Sequence, residues 1–181
     1  ELLIIATHEV PTTNFRVFYI TSAVSGVKYE KPALTIVQQN NNIPRKILVT
    51  TTRNRNPRFN YSSNSGTTWV IDQLMGTSST VTADFTTCNS DSLTSGGQYA
   101  IMGFVTDDGD SVNVKQLTIP PTTTFAYYKR NSNVSSGLVA PSTSIYKVGS
   151  VKYAAFSYPG SGPTNVYYNS EQLVTAVEPI F

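Results

Sequence analysis

One compact cluster of side chains in this sequence has the chemistry to hold a ligand. Three arginines alternate with other residues between positions 53 and 58, and aromatic residues follow at 59 and 61. An arginine guanidinium can bind a carboxylate or a sulphate through two parallel hydrogen bonds, and an aromatic ring offers a flat face to a sugar. A second basic and aromatic run lies at 127–130. The predicted ligand-binding residues are Arg53, Arg55, Arg58, Tyr61 and Tyr128.

Residue types that commonly carry catalysis are scarce. His8 is the only histidine and Cys88 the only cysteine, and the Gly-x-Ser-x-Gly pattern of many serine hydrolases is absent from the sequence. One imidazole and one thiol are too few for a zinc-type site. We therefore predict a protein that is not an enzyme, with no catalytic residues, no cofactor and no metal. Cys88 is expected to be a small buried residue.

An acidic turn at 107–110 is the best candidate for a cation site. Its sequence is Asp-Asp-Gly-Asp, and carboxylate oxygens are the ligands that Ca²⁺ prefers. The spacing is not that of a calcium-binding helix–loop–helix, and Asp-Gly is a favoured hairpin turn. We predict a solvated turn here, without a metal.

Charge is separated along the chain. Six basic residues between Lys31 and Arg58 occur without an acidic residue among them, and six acidic residues between Asp72 and Asp110 occur without a basic one. The pattern suits a basic face for an acidic partner, complementary faces for head-to-tail assembly, or two solvated loop clusters. A net charge of only +2 argues against nucleic acid as the partner.

The composition indicates an extracellular or surface-exposed β protein. Charged residues make up 13% of the chain, where an average soluble domain has about 25%. Serine, threonine and asparagine replace them, as in many secreted proteins, shells and fibres. No apolar run approaches the ~20 residues of a membrane-spanning helix. The chain opens at Glu1 rather than at a methionine, from which we expect a processed product.

A hairpin-like unit recurs along the chain. Each copy has an apolar strand, a turn and a return strand, and Lys46, Tyr99 and Lys152 begin three copies at intervals of 53 residues. Units of this length are the size of a propeller blade. We predict one all-β domain over 1–181, a small or partial β-propeller, with a β-sandwich or jelly roll as the alternative. The predicted repeats lie near 15–34, 46–74, 99–117 and 152–173.

The two ends of the chain are also strand-like. Segment 2–6 is apolar and segment 174–177 has the sequence Val-Thr-Ala-Val, and pairing between them would close a ring of blades. Without that pairing, each leaves an open strand edge on which another chain can add. Self-assembly through the terminal strands is therefore a further expectation.

A motif in the second repeat resembles the Asp-box, Ser-x-Asp-x-Gly-x-Thr-Trp. The matching positions, with asparagine in place of the aspartate, are Ser62, Asn64, Gly66, Thr68 and Trp69. The resemblance is to the sialidase-like and sortilin-like Asp-box β-propellers. It implies a structural hairpin turn in a blade, in which side chains bond to loop amides and the tryptophan packs beneath.

The catalytic residues of a sialidase are not matched. The family carries an early Phe-Arg-Ile-Pro-like motif, and Phe15-Arg16-Val17-Phe18 is similar but lacks the proline. Between that motif and the Asp-box-like turn the only acid is Glu30. The resemblance therefore implies a fold rather than an activity, because function resides in the site.

Three functions remain open at this point. The first is a non-enzymatic extracellular or surface β-domain that binds a glycan or a protein. The second is a structural subunit of a filament, shell or surface assembly, and the third is a degenerate sialidase-like glycosidase relative. Asn133 begins a glycosylation tripeptide in a polar stretch, and Asn60 begins another at a strand end.

Overall fold

The chain folds as an all-β protein of antiparallel hairpin sheets. The computed structural model describes residues 2–8, 15–21, 26, 29–37, 46–75, 80–90, 99–106, 111–118, 126–131, 141–159 and 166–172. Thirteen strands and no helix occur in these ranges. Accordingly, this part of the chain contains no helix with the length and apolarity needed to cross a membrane.

The strands form four sheets, numbered here in chain order. The first sheet contains β1 (Leu2–His8) and β2 (Phe15–Thr21); the second contains β3 (Tyr29–Val37), β4 (Lys46–Arg53), β5 (Asn56–Ser62) and β6 (Val70–Leu74). The third contains β7 (Thr86–Ser90), β8 (Tyr99–Val105), β9 (Ser111–Thr118) and β10 (Ala126–Asn131); the fourth contains β11 (Ser142–Val148), β12 (Val151–Pro159) and β13 (Val166–Gln172). Within each sheet, strands that are consecutive in sequence pair antiparallel.

Local sequence explains the tight hairpin between β4 and β5. Arg53 pairs with Asn56, which leaves a two-residue turn of Asn54 and Arg55. Both turn residues have positive φ, 48° and 64°, as a type I′ turn requires. Asparagine tolerates this conformation well, and the turn matches the twist of the two strands it joins.

The hairpins of the three later repeats are present, but the first repeat is paired differently from the prediction. β4 pairs with β5, β8 with β9 and β12 with β13. In the first repeat, however, β2 pairs with β1, and β3 pairs with β4 of the following repeat. The strand-forming pattern at 15–34 is the same whichever neighbour is chosen, so it does not specify the partner.

The main core lies between the second and third sheets. Leu48 and Phe59 contribute from the second sheet, and Met102 and Phe104 from the third; all are at most 2% exposed. On the other side of β8, Ile101 packs against Ala154 and Ile145 of the fourth sheet. Alternate side chains of β8 therefore enter two different cores, which joins three sheets in a face-to-face stack.

The first strands of these three sheets are linked by polar side chains. Thr35 on β3 donates to Ser90 Oγ on β7 at 2.8 Å, and Ser90 Oγ donates to the Ile36 carbonyl at 2.8 Å. Asn89 Nδ2 donates to the Thr143 carbonyl on β11 at 2.9 Å. Such bonds hold β3, β7 and β11 close together, so the sheets converge at their first strands.

Candidate functional site

The turn after β5 is organised by its own side chains. Ser62 Oγ accepts the Gly66 N–H at 2.8 Å, and Asn64 Oδ1 accepts the Thr68 N–H at 2.9 Å. Asn64 Nδ2 in turn donates to Thr68 Oγ1 at 2.8 Å. Ser65 and Gly66 both have positive φ, 56° and 85°, which glycine adopts without strain. The asparagine thus supplies both an acceptor and a donor to the loop.

The tryptophan closes this turn onto the sheet. Trp69 Nε1 donates to the Gly66 carbonyl at 3.0 Å, which satisfies the polar end of the indole. The ring packs against Ile47 and Val49 of β4, together with Ile36 of β3. The turn residues therefore bond to one another and to the sheet, and their arrangement has a structural role.

The predicted arginine site is occupied by this chain's own acids. Arg53 and Arg58 both form ion pairs with the Asp72 carboxylate, Arg53 through Nη1 and Arg58 through Nε at 3.8 Å. Arg58 Nη1 also donates to the Asp72 carbonyl at 3.1 Å. The side chains of Arg53, Arg58 and Asp72 are only 15–25% exposed. These two arginines are consequently engaged in holding β6 to the β4–β5 hairpin.

Arg55 at the hairpin tip has a different environment. Its Nε lies 3.2 Å from Asp84 Oδ1, and its side chain is 57% exposed. The Arg55 carbonyl accepts the Ala83 N–H at 2.8 Å, so the segment at 80–84 runs across the end of the hairpin. The basic run and part of the acidic run, separate in sequence, thus meet in space at Asp72 and Asp84.

The two predicted tyrosines are placed differently. Tyr61 is partly buried against the main core and stacks on Phe59, with ring centroids 6.3 Å apart. Tyr128 occupies β10 opposite Val114 of β9. Tyr61 thus packs with the core beside the arginines, and Tyr128 belongs to another sheet.

The other residues named in the sequence analysis lie partly inside and partly outside the described ranges. Arg16 lies on β2 opposite Thr7, and Glu30 begins a bulge in β3 where its carbonyl accepts the Thr51 hydroxyl at 2.7 Å. The acidic turn at 107–110, Asn133 and the segment at 174–177 lie outside the described residues. Within the described ranges, no three metal-binding side chains cluster. Asn60 is fully buried, which leaves no room for a glycan in the folded protein.

Two ionisable groups near the core have shifted pKa values. Burial raises the pKa of the Cys88 thiol to about 11, although hydrogen bonds to Thr50 act in the opposite direction. Burial also lowers the pKa of Lys46, whose residue is 7% exposed. A protonated thiol is a poor nucleophile. Cys88 packs against the main core but is half-buried, rather than buried as the sequence predicts.

A surface that the sequence analysis missed lies on the fourth sheet. Tyr146 on β11 is paired with Tyr153 on β12, and their rings stack with centroids 5.3 Å apart at 17°. Ile145 faces the core, so the alternation of a strand places Tyr146 on the opposite, outer face. Both rings are half-buried. The adjacent Val148 is 60% exposed.

Beside the tyrosines, the β11–β12 pair carries a shallow, hydroxyl-rich depression. Its volume is about 110 Å³. The lining residues are Ser142, Thr143, Ser144, Ala155, Phe156 and Ser157. Exposed Gln172 on β13 lies opposite Tyr153 in the register. The lining of the depression has hydroxyl groups and apolar carbon but no charged side chain. We call Tyr146, Tyr153 and this depression the tyrosine–serine face.

The sequence contained a signal for this face. Tyr146 and Tyr153 are equally distant from the Gly149-Ser150 turn, and residues placed symmetrically about a two-residue turn become cross-strand partners. Gly149 has a φ of 60°, as such turns require.

Comparison with known proteins identifies no family for this chain. No protein-family model matches the sequence, and no curated protein matches it significantly. Function therefore has to be argued from the chemistry of the surfaces described above.

Proposed function

We propose that this protein is a non-enzymatic, extracellular or surface-exposed β-domain that binds an uncharged glycan through its tyrosine–serine face. The stacked pair of Tyr146 and Tyr153 beside a depression lined by serines carries the proposal. Aromatic rings present apolar area at little cost in conformational entropy, and serine hydroxyls can both donate and accept hydrogen bonds. A sugar ring, with apolar C–H faces and a rim of hydroxyls, matches both features.

The pairing of two arginines and the uncharged lining of the depression favour a neutral sugar over an acidic one. Arg53 and Arg58, which would recognise a carboxylate or sulphate, are paired with Asp72. The lining of the depression is uncharged. Arg55, with an exposed side chain paired to Asp84, is the remaining basic candidate of the predicted cluster, and it provides the contrast for the test.

The test is a glycan array followed by calorimetric titration of any glycan that binds. Neutral glycans should bind, and Tyr153→Ala should weaken binding about tenfold or more, the equivalent of about 1.4 kcal/mol. Arg55→Ala is the matched control, because it removes an exposed side chain of the predicted cluster outside the tyrosine–serine face. Its affinity for the same glycan should stay unchanged.

Two results would contradict this proposal. The first is binding restricted to sulphated or carboxylated glycans that is lost in Arg55→Ala and kept in Tyr153→Ala. That result would place the glycan-binding site at the arginine cluster. An array without any glycan bound would remove glycans as the partner and leave a protein ligand.

A structural subunit is the second candidate, and exposed apolar side chains favour it. Leu34, Val70 and Val148 are 45%, 41% and 60% exposed, and the surface has few charges to oppose association. Light scattering over a range of concentrations distinguishes the two functions. Growth into polymers would support a subunit, and if terminal strands mediate it, deletion of residues 1–10 should abolish growth.

The wider architecture is part of the same proposal. Successive antiparallel sheets, stacked face to face and converging at β3, β7 and β11, support a partial β-propeller of Asp-box type. The side-chain bonds of Ser62, Asn64 and Thr68 support the Asp-box interpretation of the turn. A crystal structure whose sheets form two facing layers, with no common axis, would favour the β-sandwich instead.

A further inference from the structure

The outer strand of the second sheet has two properties that favour the addition of another strand. Among the described strands β6 pairs with β5 alone. Its apolar side chains are open to solvent, with Val70 41%, Ile71 38% and Leu74 37% exposed. An edge strand with exposed apolar side chains is a template on which another chain can add.

A bulge interrupts this edge at its centre. The register passes from Phe59 opposite Gln73 to Tyr61 opposite Val70, so one residue of β5 faces two residues of β6. Asp72, in the bulge, has a φ of 61°, a conformation in which residues other than glycine are uncommon. A bulge bends and twists the strand, and β6 therefore does not present a continuous flat edge.

Three side chains hold Asp72 in this conformation. Arg53 and Arg58 pair with its carboxylate, and Arg58 also donates to its carbonyl at 3.1 Å. Asn60 Oδ1 accepts the Asp72 N–H at 2.8 Å, in place of a backbone carbonyl. Asn60 is fully buried. The bulge is thus fixed by groups that are themselves anchored in the sheet.

We infer that the cluster of Arg53, Asp72 and Arg58 protects β6 from pairing with β6 of a second copy of this chain. The symmetry of the strand favours a second copy as the occupant. In an antiparallel pair of two β6 strands, Val70 would lie opposite Leu74 and Asp72 opposite the other Asp72. Apolar residues would meet at both ends, while the bulges would keep the two strands apart at the centre. Asp72 therefore opposes pairing through its backbone conformation, which the two arginines and Asn60 maintain.

The experiment compares Asp72→Ala with Asp84→Ala, which removes the same charge at the hairpin tip, away from the edge. Light scattering measures the mass, and hydrogen exchange measures the protection of the amides at 70–74. We expect Asp72→Ala to reach about twice the mass of the unchanged chain, as a symmetric pair would, with its amides at 70–74 protected at least about tenfold more. Asp84→Ala should show neither change.

A second substitution separates edge pairing from general loss of stability. Adding Ile71→Lys to Asp72→Ala places a charge on the edge, which blocks pairing without restoring the lost bonds. The double variant should return to the mass of the unchanged chain. Association that persists in it, or an Asp72→Ala protein whose mass and protection do not change, would overturn the inference.

If circular dichroism shows that Asp72→Ala does not fold, a variant with glycine at the bulge replaces it in the experiment. Asp72→Gly accepts the positive φ without strain but lacks the carboxylate and its two ion pairs. The same gain in mass and in protection at 70–74 is expected for it, and a chain that keeps its original mass would contradict the protective role of the cluster.

Discussion

Two hairpins of this molecule use their side chains in opposite ways. The β4–β5 hairpin, which we call the closed hairpin, has a strand buried on both faces, and its arginines are paired with Asp72 and Asp84. The β11–β12 hairpin, which we call the open hairpin, has one face on the core and a second, outer face with Tyr146 and Tyr153. The closed hairpin has its arginines in ion pairs, and the open hairpin has the more accessible tyrosine and serine side chains.

The difference teaches that residue type alone is a poor guide to which side chains remain accessible. Arginine is the natural first choice for recognition, yet here its donors serve the fold. Tyrosine and serine attract less attention in a sequence, but on the outer face of a sheet they remain near solvent. If this comparison is right, substitutions in the closed hairpin reduce stability, and substitutions in the open hairpin reduce binding.

Thiol reactivity should show the largest contrast between the hairpins. Cys88 is packed against the closed hairpin, and burial raises its pKa to about 11. In Ser144→Cys, a thiol on the open hairpin should titrate near its usual value of about 8.5. At pH 8 the introduced thiol should react with a chromogenic disulphide at least about a hundredfold faster than Cys88, because attack requires the thiolate.

The same shift sets the sign of a pH effect. A folded-state pKa above the unfolded value means that the native chain holds the thiol proton more tightly, so stability is lost as the pH rises from about 9 to 11.

For the reactivity experiment, equal reaction rates for Cys88 and the thiol of Ser144→Cys would contradict the comparison, because they would show that the closed hairpin admits the reagent.

The second largest contrast should lie in how much the two sets of ion pairs contribute to the free energy of unfolding. Asp72→Asn keeps the shape of the side chain but removes its charge from Arg53 and Arg58, and we expect the free energy of unfolding to fall by about 1–2 kcal/mol. Asp84→Asn should cost less than about 0.5 kcal/mol, because its partner Arg55 is mostly solvated. Urea denaturation measures both. A larger loss in Asp84→Asn would reverse the roles of the two pairs.

Two substitutions of Asn64, in the turn after β5, distinguish the role of its side-chain acceptor from that of its donor. Asn64→Ala removes the acceptor for the Thr68 N–H, and the free energy of unfolding should fall by about 1 kcal/mol. Asn64→Asp keeps that acceptor and can receive the Thr68 hydroxyl as well, so its stability should stay within about 0.5 kcal/mol of the unchanged chain. Equal losses for both variants in urea would show that the amide donor, not the acceptor, matters.

The smallest effect is expected on the open hairpin itself. A double-mutant cycle of Tyr146→Ala and Tyr153→Ala, read by urea denaturation, should give a coupling of about 0.5–1 kcal/mol from the stacked rings. Each single variant should remain folded. A loss of several kcal/mol in either single variant would make the tyrosines part of the core and would remove them as binding residues.

Strand positions were accessible from the sequence because they depend on local pattern. The three later repeats contain the paired strands that their apolar residues indicate. The partner of β2 was not accessible. An apolar strand can form backbone hydrogen bonds equally well with either neighbouring strand. Packing across the whole domain decides which neighbour it pairs with.

The candidate site was less predictable for the same reason. Arg53 and Asp72 are 19 residues apart and Arg55 and Asp84 are 29 apart, so their pairing depends on how β6 and the segment after it return to the hairpin. Charge counted along the chain therefore suggested separate faces or separate loop clusters, whereas folding brings opposite charges together. The tyrosine pair could have been found, since its symmetry about Gly149-Ser150 is a local property.

The position of β8 between two cores has a consequence for how the protein comes apart. Met102 and Phe104 pack toward the second sheet while Ile101 packs toward the fourth, so neither core can be exposed without disturbing the same strand. Local opening in proteins follows cooperative units, and a shared element merges them. The three stacked sheets should accordingly melt as one foldon, with the amides of β8 among the last to exchange with solvent.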